Sequence, residues 1–175
     1  GAVLTNDKKI NKLLKFYRNH CIIKSKTKPW DYNIKEIGFN SRITDLQSAI
    51  GIAQIKKIHR FLSIRRKISK LYNMLLSNNN NLILPIISKS FTSAYHLFPI
   101  QIKNLKYKNK LNLFKFFKKN GFQLQVHYKP IILQEYYKKK YKLNPKLFRN
   151  TINFYKSAIS APIFPELKEK DIRKF

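Results

Sequence analysis

Gly38-Phe39-Asn40-Ser41-Arg42-Ile43-Thr44-Asp45-Leu46-Gln47-Ser48-Ala49-Ile50-Gly51 is the stretch from which the rest of the chain can be parsed. Thr44 and Gln47 stand three residues apart, the spacing of a capping box, in which each side chain bonds the other residue's free backbone amide at a helix start. Ile43, just before the cap, is placed to staple the entry. After it Leu46, Ala49, Ile50, Ile52, Ala53 and Ile55 put apolar groups on more than one side. Farther on Ile64, Ile68, Leu71 and Leu75 alternate with cations. This spacing predicts one long helix over 44–76, buried in its first half and wetter in its second. The run Asn78-Asn79-Asn80-Asn81 stops it and reads as a linker.

Toward the N-terminus, residues 2–5 read as a short buried strand. Asn6 or Asp7 then caps a helix carrying Ile10, Leu13, Leu14 and Tyr17 on one face and ending near His20. Residues 24–40, with Pro29, Trp30 and Gly38, show little periodicity and read as an irregular excursion of the kind that often carries function. Toward the C-terminus the text is that of a small α/β unit. Residues 94–102 alternate with period two, Pro99 marking an edge or irregularity. Leu111, Phe114 and Phe117 mark an amphipathic helix closed by Asn120-Gly121. Residues 122–128 read as another strand, ended by Pro130. Short helices are expected near 131–140 and 150–159, with Pro162 and Pro165 breaking the chain before a last helix begins at 168.

A chain of 175 residues is long enough for one ordinary domain. Its 37 Lys+Arg against 8 Asp+Glu give 37 − 8 = +29, which by itself suggests a polyanion partner. The excess is mostly Lys, accompanied by Ile, Asn, Phe and Tyr, the residues that A/T-rich codons specify, so compositional drift accounts for most of it. Hydrophobic residues at 43% exclude disorder. The lone Cys21 cannot form an internal disulfide, and no apolar run approaches the roughly 20 residues of a membrane helix, so the expected compartment is the cytoplasm and no membrane partner is expected. A chain opening on Gly1 instead of Met reads as cut from something longer.

The chemistry on offer is narrow. Four scattered glycines exclude a phosphate-cradling loop, and the histidines stand apart from carboxylate or thiol partners, so no metal site is expected. Eight acids leave few candidates for two-carboxylate catalysis. The basic and aromatic run Tyr136-Tyr137-Lys138-Lys139-Lys140-Tyr141 could bind single strands, but a solvated helix face explains it equally well, and nucleic acid is not an expected partner. His96 reads as a hydrogen-bonded core histidine. Asn40 and Arg42 could simply cap the following helix or pair with Asp45. His127 and Tyr128, at a strand end before Lys129-Pro130, are the best functional candidates on position alone.

Taken together, the opening Gly1-Ala2-Val3-Leu4-Thr5-Asn6-Asp7, then Arg18-Asn19-His20, the stretch from Gly38 to Gly51, His96-Leu97-Phe98-Pro99-Ile100, Gln125-Val126-His127-Tyr128-Lys129-Pro130 and Ser160-Ala161-Pro162-Ile163-Phe164-Pro165 resemble, in order and spacing, the C-terminal half of the DegT/DnrJ/EryC1/StrS family. These are pyridoxal-phosphate-dependent aminotransferases acting on nucleotide-linked keto-sugars. The resemblance covers essentially the whole chain. It implies an α/β fold, that of a fold-type I aminotransferase: residues 1–43 would end the large cofactor domain and carry an active-site loop, 44–81 would be the long connecting helix and linker, and 82–175 the small C-terminal α/β domain. It implies a homodimer with active sites between subunits, pyridoxal 5'-phosphate as cofactor, a nucleotide-sugar substrate and an amino-acid donor such as glutamate.

Residue by residue, Asn40 matches the asparagine that reaches the cofactor phosphate of the neighbouring subunit. Arg42 matches an arginine that orders this loop or holds a substrate phosphate. Gln125, His127, Tyr128 and Lys129 match the segment lining the nucleotide-sugar pocket. Ser41 stands where the family often has Tyr, and Cys21 where it often has Gly, a turn that favours positive φ. The lysine that holds the cofactor covalently is expected upstream of Gly1, so no catalytic residue is assigned here and the chain alone is expected to be inactive. The activity implied for the full enzyme is amination of a UDP-linked 4-keto sugar in surface-polysaccharide or nonulosonic acid synthesis. The alternatives are an inactive remnant serving as a binding module and, behind it, a basic nucleic-acid-binding protein.

Overall fold

The computed structural model describes residues 2–28, 30–88 and 90–175; Gly1 and Pro29, invoked above, lie outside them. The chain divides into two units, Gly1–Lys56 and Lys57–Phe175.

In the first unit, Asp7 caps α1 (Lys8–Arg18) by accepting from the Lys9 and Ile10 amides, as its sequence position requires. Residues 2–5, expected to form a buried strand, are exposed and irregular, and no strand among the described residues of this unit pairs with them. The excursion expected over 24–40 is more ordered than its text suggests. A short antiparallel ribbon pairs β1 (Ile22–Lys24) with β2 (Tyr32–Ile34), Ile22 opposite Ile34. The capping box is present: the Gln47 amide donates to Thr44 Oγ1 at 3.2 Å and the Thr44 amide to Gln47 Oε1 at 3.0 Å, opening α2 (Asp45–Ile55). Among the described residues of this unit, Cys21 is the buried hydrophobic one, at 0% exposure. The early burial expected for Leu46, Ile50, Ile52 and Ile55 is not met within the chain: all four are exposed, because no element of this unit packs over them.

The single helix expected over 44–76 is two, α2 and α3 (Ile58–Leu76). Lys56 closes the first and Lys57 opens the second, both with right-handed dihedrals. Neither is the Pro or Gly that would announce a break in the text.

The second unit holds the core. A three-stranded antiparallel sheet runs β3 (Leu82–Ile83), β4 (Phe98–Ile102), β5 (Ala158–Ala161), with Phe98 opposite Ala161 and Ile100 opposite Ile159. Tyr72 of α3, 1% exposed, stacks on Phe98 at 5.0 Å between ring centroids and donates its hydroxyl to Pro162 O at 2.9 Å. α4 (Tyr107–Lys119) ends at Asn120-Gly121 as its sequence predicts, with Gly121 at φ +86. Two 3-10 turns, Ile131–Leu133 and Pro145–Phe148, flank α5 (Glu135–Tyr141) and lead into α6 (Arg149–Ser157). α7 (Glu169–Lys174) brings Ile172 and Phe175 onto the same core, Phe175 lying 4.8 Å from Phe117.

Two strand expectations change. Ala158 and Ile159, expected to end the helix near 150–159, instead open β5, because all four of its residues are buried and a strand covered on both sides loses its alternation. Residues 122–128 are not a strand; one isolated bridge, Gln125 to Ser160, sets them beside β5. His96 precedes β4 and is exposed, so it is no core histidine; its carbonyl accepts from Arg65.

One buried cation needs explanation. Lys110, 7% exposed, reaches from α4 to donate to Tyr155 O at 2.6 Å and Ala158 O at 2.7 Å, and it faces the Tyr155 ring. Those carbonyls lie at the C-terminal end of α6, where a positive charge is favoured. Burial holds its pKa below the ordinary lysine value.

Candidate functional site

The residues singled out in the sequence fall into two loci, one in each unit. The first is the strand-like segment Phe39-Asn40-Ser41, which lies antiparallel to the end of α1. The Phe39 amide donates to Tyr17 O at 2.8 Å, the His20 amide to Phe39 O at 3.0 Å and the Ser41 amide to Arg18 O at 3.2 Å, with Asn19 and Asn40 bridged. Close approach is built in at Gly38, where a Cβ would sit 2.6 Å from Cys21 N and 2.7 Å from His20 C. Only glycine fits. His20 and Cys21 both adopt positive φ, +58 and +52, so the turn that favours glycine is made here without one.

Arg42 completes the knot. Its Nη1 donates to Arg18 O at 2.8 Å and to Ser41 O at 3.3 Å, and its Nη2 donates to Asn19 Oδ1. These bonds take up most of the guanidinium's donors, which makes Arg42 a loop-ordering residue; of the two roles implied above, this is the one its contacts support. Asn40 differs. It is exposed, and its carboxamide has no hydrogen-bond partner among the described residues, so a side chain with a free donor pair sits on a fixed backbone. An amide N–H is the right chemistry for a phosphate oxygen, and the donor set here fits such a group. Nearby, Tyr17 donates to Glu36, and that bond raises the Tyr17 pKa. Burial pushes the Cys21 thiol up, away from nucleophilic character.

The second locus follows Leu124. His127 Nδ1 lies 2.8 Å from Ser160 Oγ, and the Ser160 amide donates to Gln125 O at 2.8 Å, so β5 holds the segment in place through one residue. Tyr128 follows through a cis peptide and packs edge-on against the His127 ring at 4.7 Å. Gln125, Tyr128 and Lys129 are exposed, and His127 is half-buried. Lys129 lines a cleft of about 690 Å³ together with Tyr107, Tyr155, Lys146, Arg149 and Lys156, and none of the described residues that line it is acidic. Sequence reasoning missed Lys146, Arg149, Lys156 and Ser160: in a Lys-rich text single cations carry no signal, and Ser160 was read as part of a motif but given no role.

Lys140 stands over the Tyr136 and Tyr141 rings of its own helix at 5.3 and 5.6 Å, so the basic and aromatic run is partly self-satisfied. No group of three or more metal-binding side chains comes together among the described residues. No helix among them is long and apolar enough to cross a membrane.

The DegT/DnrJ/EryC1/StrS aminotransferase family matches residues 1–175. The chain belongs to this family. Within the DegT/DnrJ/EryC1/StrS family, it is 34% identical over 173 residues to the UDP-4-amino-4,6-dideoxy-N-acetyl-beta-L-altrosamine transaminase of Campylobacter jejuni, covering 99% of this chain and 45% of that protein. It is 28% identical over 175 residues to the enzyme of that name from Helicobacter pylori, again 99% of this chain and 45% of the relative. The chain thus spans somewhat under half the length of these relatives. Among solved structures it superposes on Helicobacter pylori PseC, an aminotransferase involved in the biosynthesis of pseudoaminic acid, with a TM-score of 0.86 at 27% identity, covering 97% of this chain and 44% of that one. A family aminotransferase from Brucella abortus shares the fold at TM-score 0.80 and 24% identity, over 98% of this chain and 43% of that one. The α/β fold expected from the family motifs is therefore the fold present.

Proposed function

We propose that this chain is the C-terminal part of a pyridoxal-phosphate-dependent aminotransferase that moves an amino group from an amino acid, glutamate in the simplest case, to a UDP-linked 4-keto sugar, in the cytoplasm, for surface-polysaccharide or nonulosonic acid synthesis. The observation that carries this reading is the pinned loop: Arg42 and three backbone hydrogen bonds fix Asn40 on the end of α1 while leaving its carboxamide open.

Pyridoxal phosphate, when bound, supplies the electron sink that lets the amino group change carriers. The residues present contribute binding and orientation. Asn40 would hold the cofactor phosphate across a dimer interface through its carboxamide N–H, and Arg42 keeps the loop that carries that amide in place. The exposed apolar residues of α2, Leu46, Ile50, Ile52 and Ile55, are the surface that a second subunit covers. Gln125, His127, Tyr128 and Lys129 contact the nucleotide sugar. The cations around the Lys129 cleft draw in its diphosphate, and a net charge of +29 strengthens that field. No lysine in this chain is assigned to hold the cofactor covalently.

The test is the coding sequence immediately upstream of Gly1. An in-frame lysine followed by a Gly-rich turn is the expected result. Its absence from the intact gene would overturn the enzymatic reading and favour the inactive binding module.

A further inference from the structure

We infer that Ser160 fixes His127 as the tautomer with its proton on Nε2, which makes this histidine a hydrogen-bond donor to an oxygen of the ligand and not a base. Ser160 sits in the middle of β5 and is 7% exposed; its Oγ lies 2.8 Å from His127 Nδ1 and has no other partner among the described residues. A serine hydroxyl offers one donor and two acceptor positions, and a neutral imidazole offers one of each. If Nδ1 carried the proton and donated to Ser160, the hydroxyl's own proton would be left without an acceptor in a nearly dry site. An orphaned buried donor is costly. If the hydroxyl donates to Nδ1, the donor of the buried serine is satisfied, and the donor left over is the Nε2–H of a ring that is only half-buried. The second arrangement is the lower in energy, and it puts the imidazole proton on Nε2.

Two further observations fit. The backbone of the same residue holds the other end of the segment, its amide donating to Gln125 O at 2.8 Å, so the ring is positioned by a strand and not by a loose loop. Nε2 has no hydrogen-bond partner among the described residues, which leaves its N–H free for a ligand. The ligand atom this N–H suits is an uncharged or anionic oxygen: a sugar hydroxyl, a carbonyl or a phosphate oxygen. Ser160 is thus a positioning residue acting through His127. The tautomer stands on the geometry alone, whereas its use in binding a nucleotide sugar rests on the function proposed above.

Long-range proton–nitrogen NMR correlation of the ¹⁵N-labelled chain reads the tautomer directly. His127 is assigned among the four histidines from the spectrum of His127→Gln. The spectrum is taken about two pH units above the ordinary imidazole pKa, the range in which neutral tautomers are compared. The wild-type chain is expected to show an unprotonated, hydrogen-bonded Nδ1 and a protonated Nε2. In Ser160→Ala the Nδ1 resonance moves to its free position, and in Ser160→Thr, which keeps the hydroxyl, it returns. A protonated Nδ1 in the wild type, or no movement in a folded Ser160→Ala, overturns the inference, and the wild-type spectrum decides it even if neither variant folds. Titration with UDP-N-acetylglucosamine separates the second claim. Ser160→Ala is expected to weaken binding about fivefold, the size of one ordinary hydrogen bond, with Ser160→Thr restoring it. If the tautomer is as stated but His127→Gln and Ser160→Ala bind this probe like wild type, the ligand role falls while the positioning of the ring stands.

Discussion

Replacing Tyr72 by Phe isolates one hydrogen bond and one titration in the core of the second unit. The ring is 1% exposed, stacked 5.0 Å from Phe98 and 5.7 Å edge-on from Phe175, and all of that packing survives in Phe. Only the hydroxyl that donates to Pro162 O at 2.9 Å is lost. Pro162 is only half-buried, so water can reach its carbonyl, and the cost at neutral pH is that of an ordinary hydrogen bond, about 1 kcal/mol. The sign then reverses with pH. Burial raises the Tyr72 pKa well above its ordinary value, so the folded chain keeps the proton while the unfolded chain begins to lose it near pH 10. A raised folded-state pKa contributes stability that is complete below the unfolded pKa and drains away above it, at about 1.4 kcal/mol per pH unit. Phe has no such loss. The stabilities of the two proteins therefore converge above about pH 10 and cross at about pH 10.6, where the tyrosine's titration cost reaches about 1 kcal/mol. Other tyrosines and lysines titrate in both proteins and cancel in the difference. Urea unfolding followed by far-UV circular dichroism from pH 7 to 11.5 measures it. A gap between wild type and Tyr72→Phe that stays constant across this range would refute the buried, proton-retaining hydroxyl.

Other predictions follow from the loci themselves. Gly38→Ala forces a Cβ into the Cys21 amide and His20 carbonyl carbon, and it should destabilise the first unit by about 1–3 kcal/mol, visible as faster amide exchange over 17–21 and 39–41 with the second unit unaffected. Asn40→Ala leaves the fold unchanged by circular dichroism but, in the complete enzyme, should weaken pyridoxal 5'-phosphate retention about fivefold in equilibrium dialysis, the loss of one hydrogen bond. Lys110→Met strips the donor from Tyr155 O and Ala158 O and should cost about 1–3 kcal/mol in urea unfolding, partly offset because no ammonium then has to be desolvated.

Local rules were legible wherever the signal is carried by a few adjacent residues. The Thr44–Gln47 capping box, the Asp7 cap and the Asn120-Gly121 stop each depend on groups within four positions of one another, and each is in place. Features that depend on what lies across space were not. Ala158-Ile159-Ser160-Ala161 has no alternation to read because both its faces are covered, and the break at Lys56–Lys57 carries neither Pro nor Gly. The first half of the helix expected over 44–76 reads as buried, yet Leu46, Ile50, Ile52 and Ile55 are exposed, because periodicity reports an apolar face and not what packs on it. At the site, the motif residues were visible by type and order, while their division of labour was not. Nothing in the text distinguishes Arg42, whose donors are spent on Arg18, Asn19 and Ser41, from Asn40, whose carboxamide is free.

The central claim is that these residues belong to an enzyme that aminates a nucleotide-linked keto-sugar. The complete protein containing this chain, incubated with pyridoxal 5'-phosphate, L-glutamate and a UDP-linked 4-keto-6-deoxy sugar, should convert the ketone to an amine, read by mass spectrometry as a UDP-amino sugar formed in step with 2-oxoglutarate. A folded protein that retains pyridoxal 5'-phosphate yet forms neither product with this or any other amino-acid donor would contradict it.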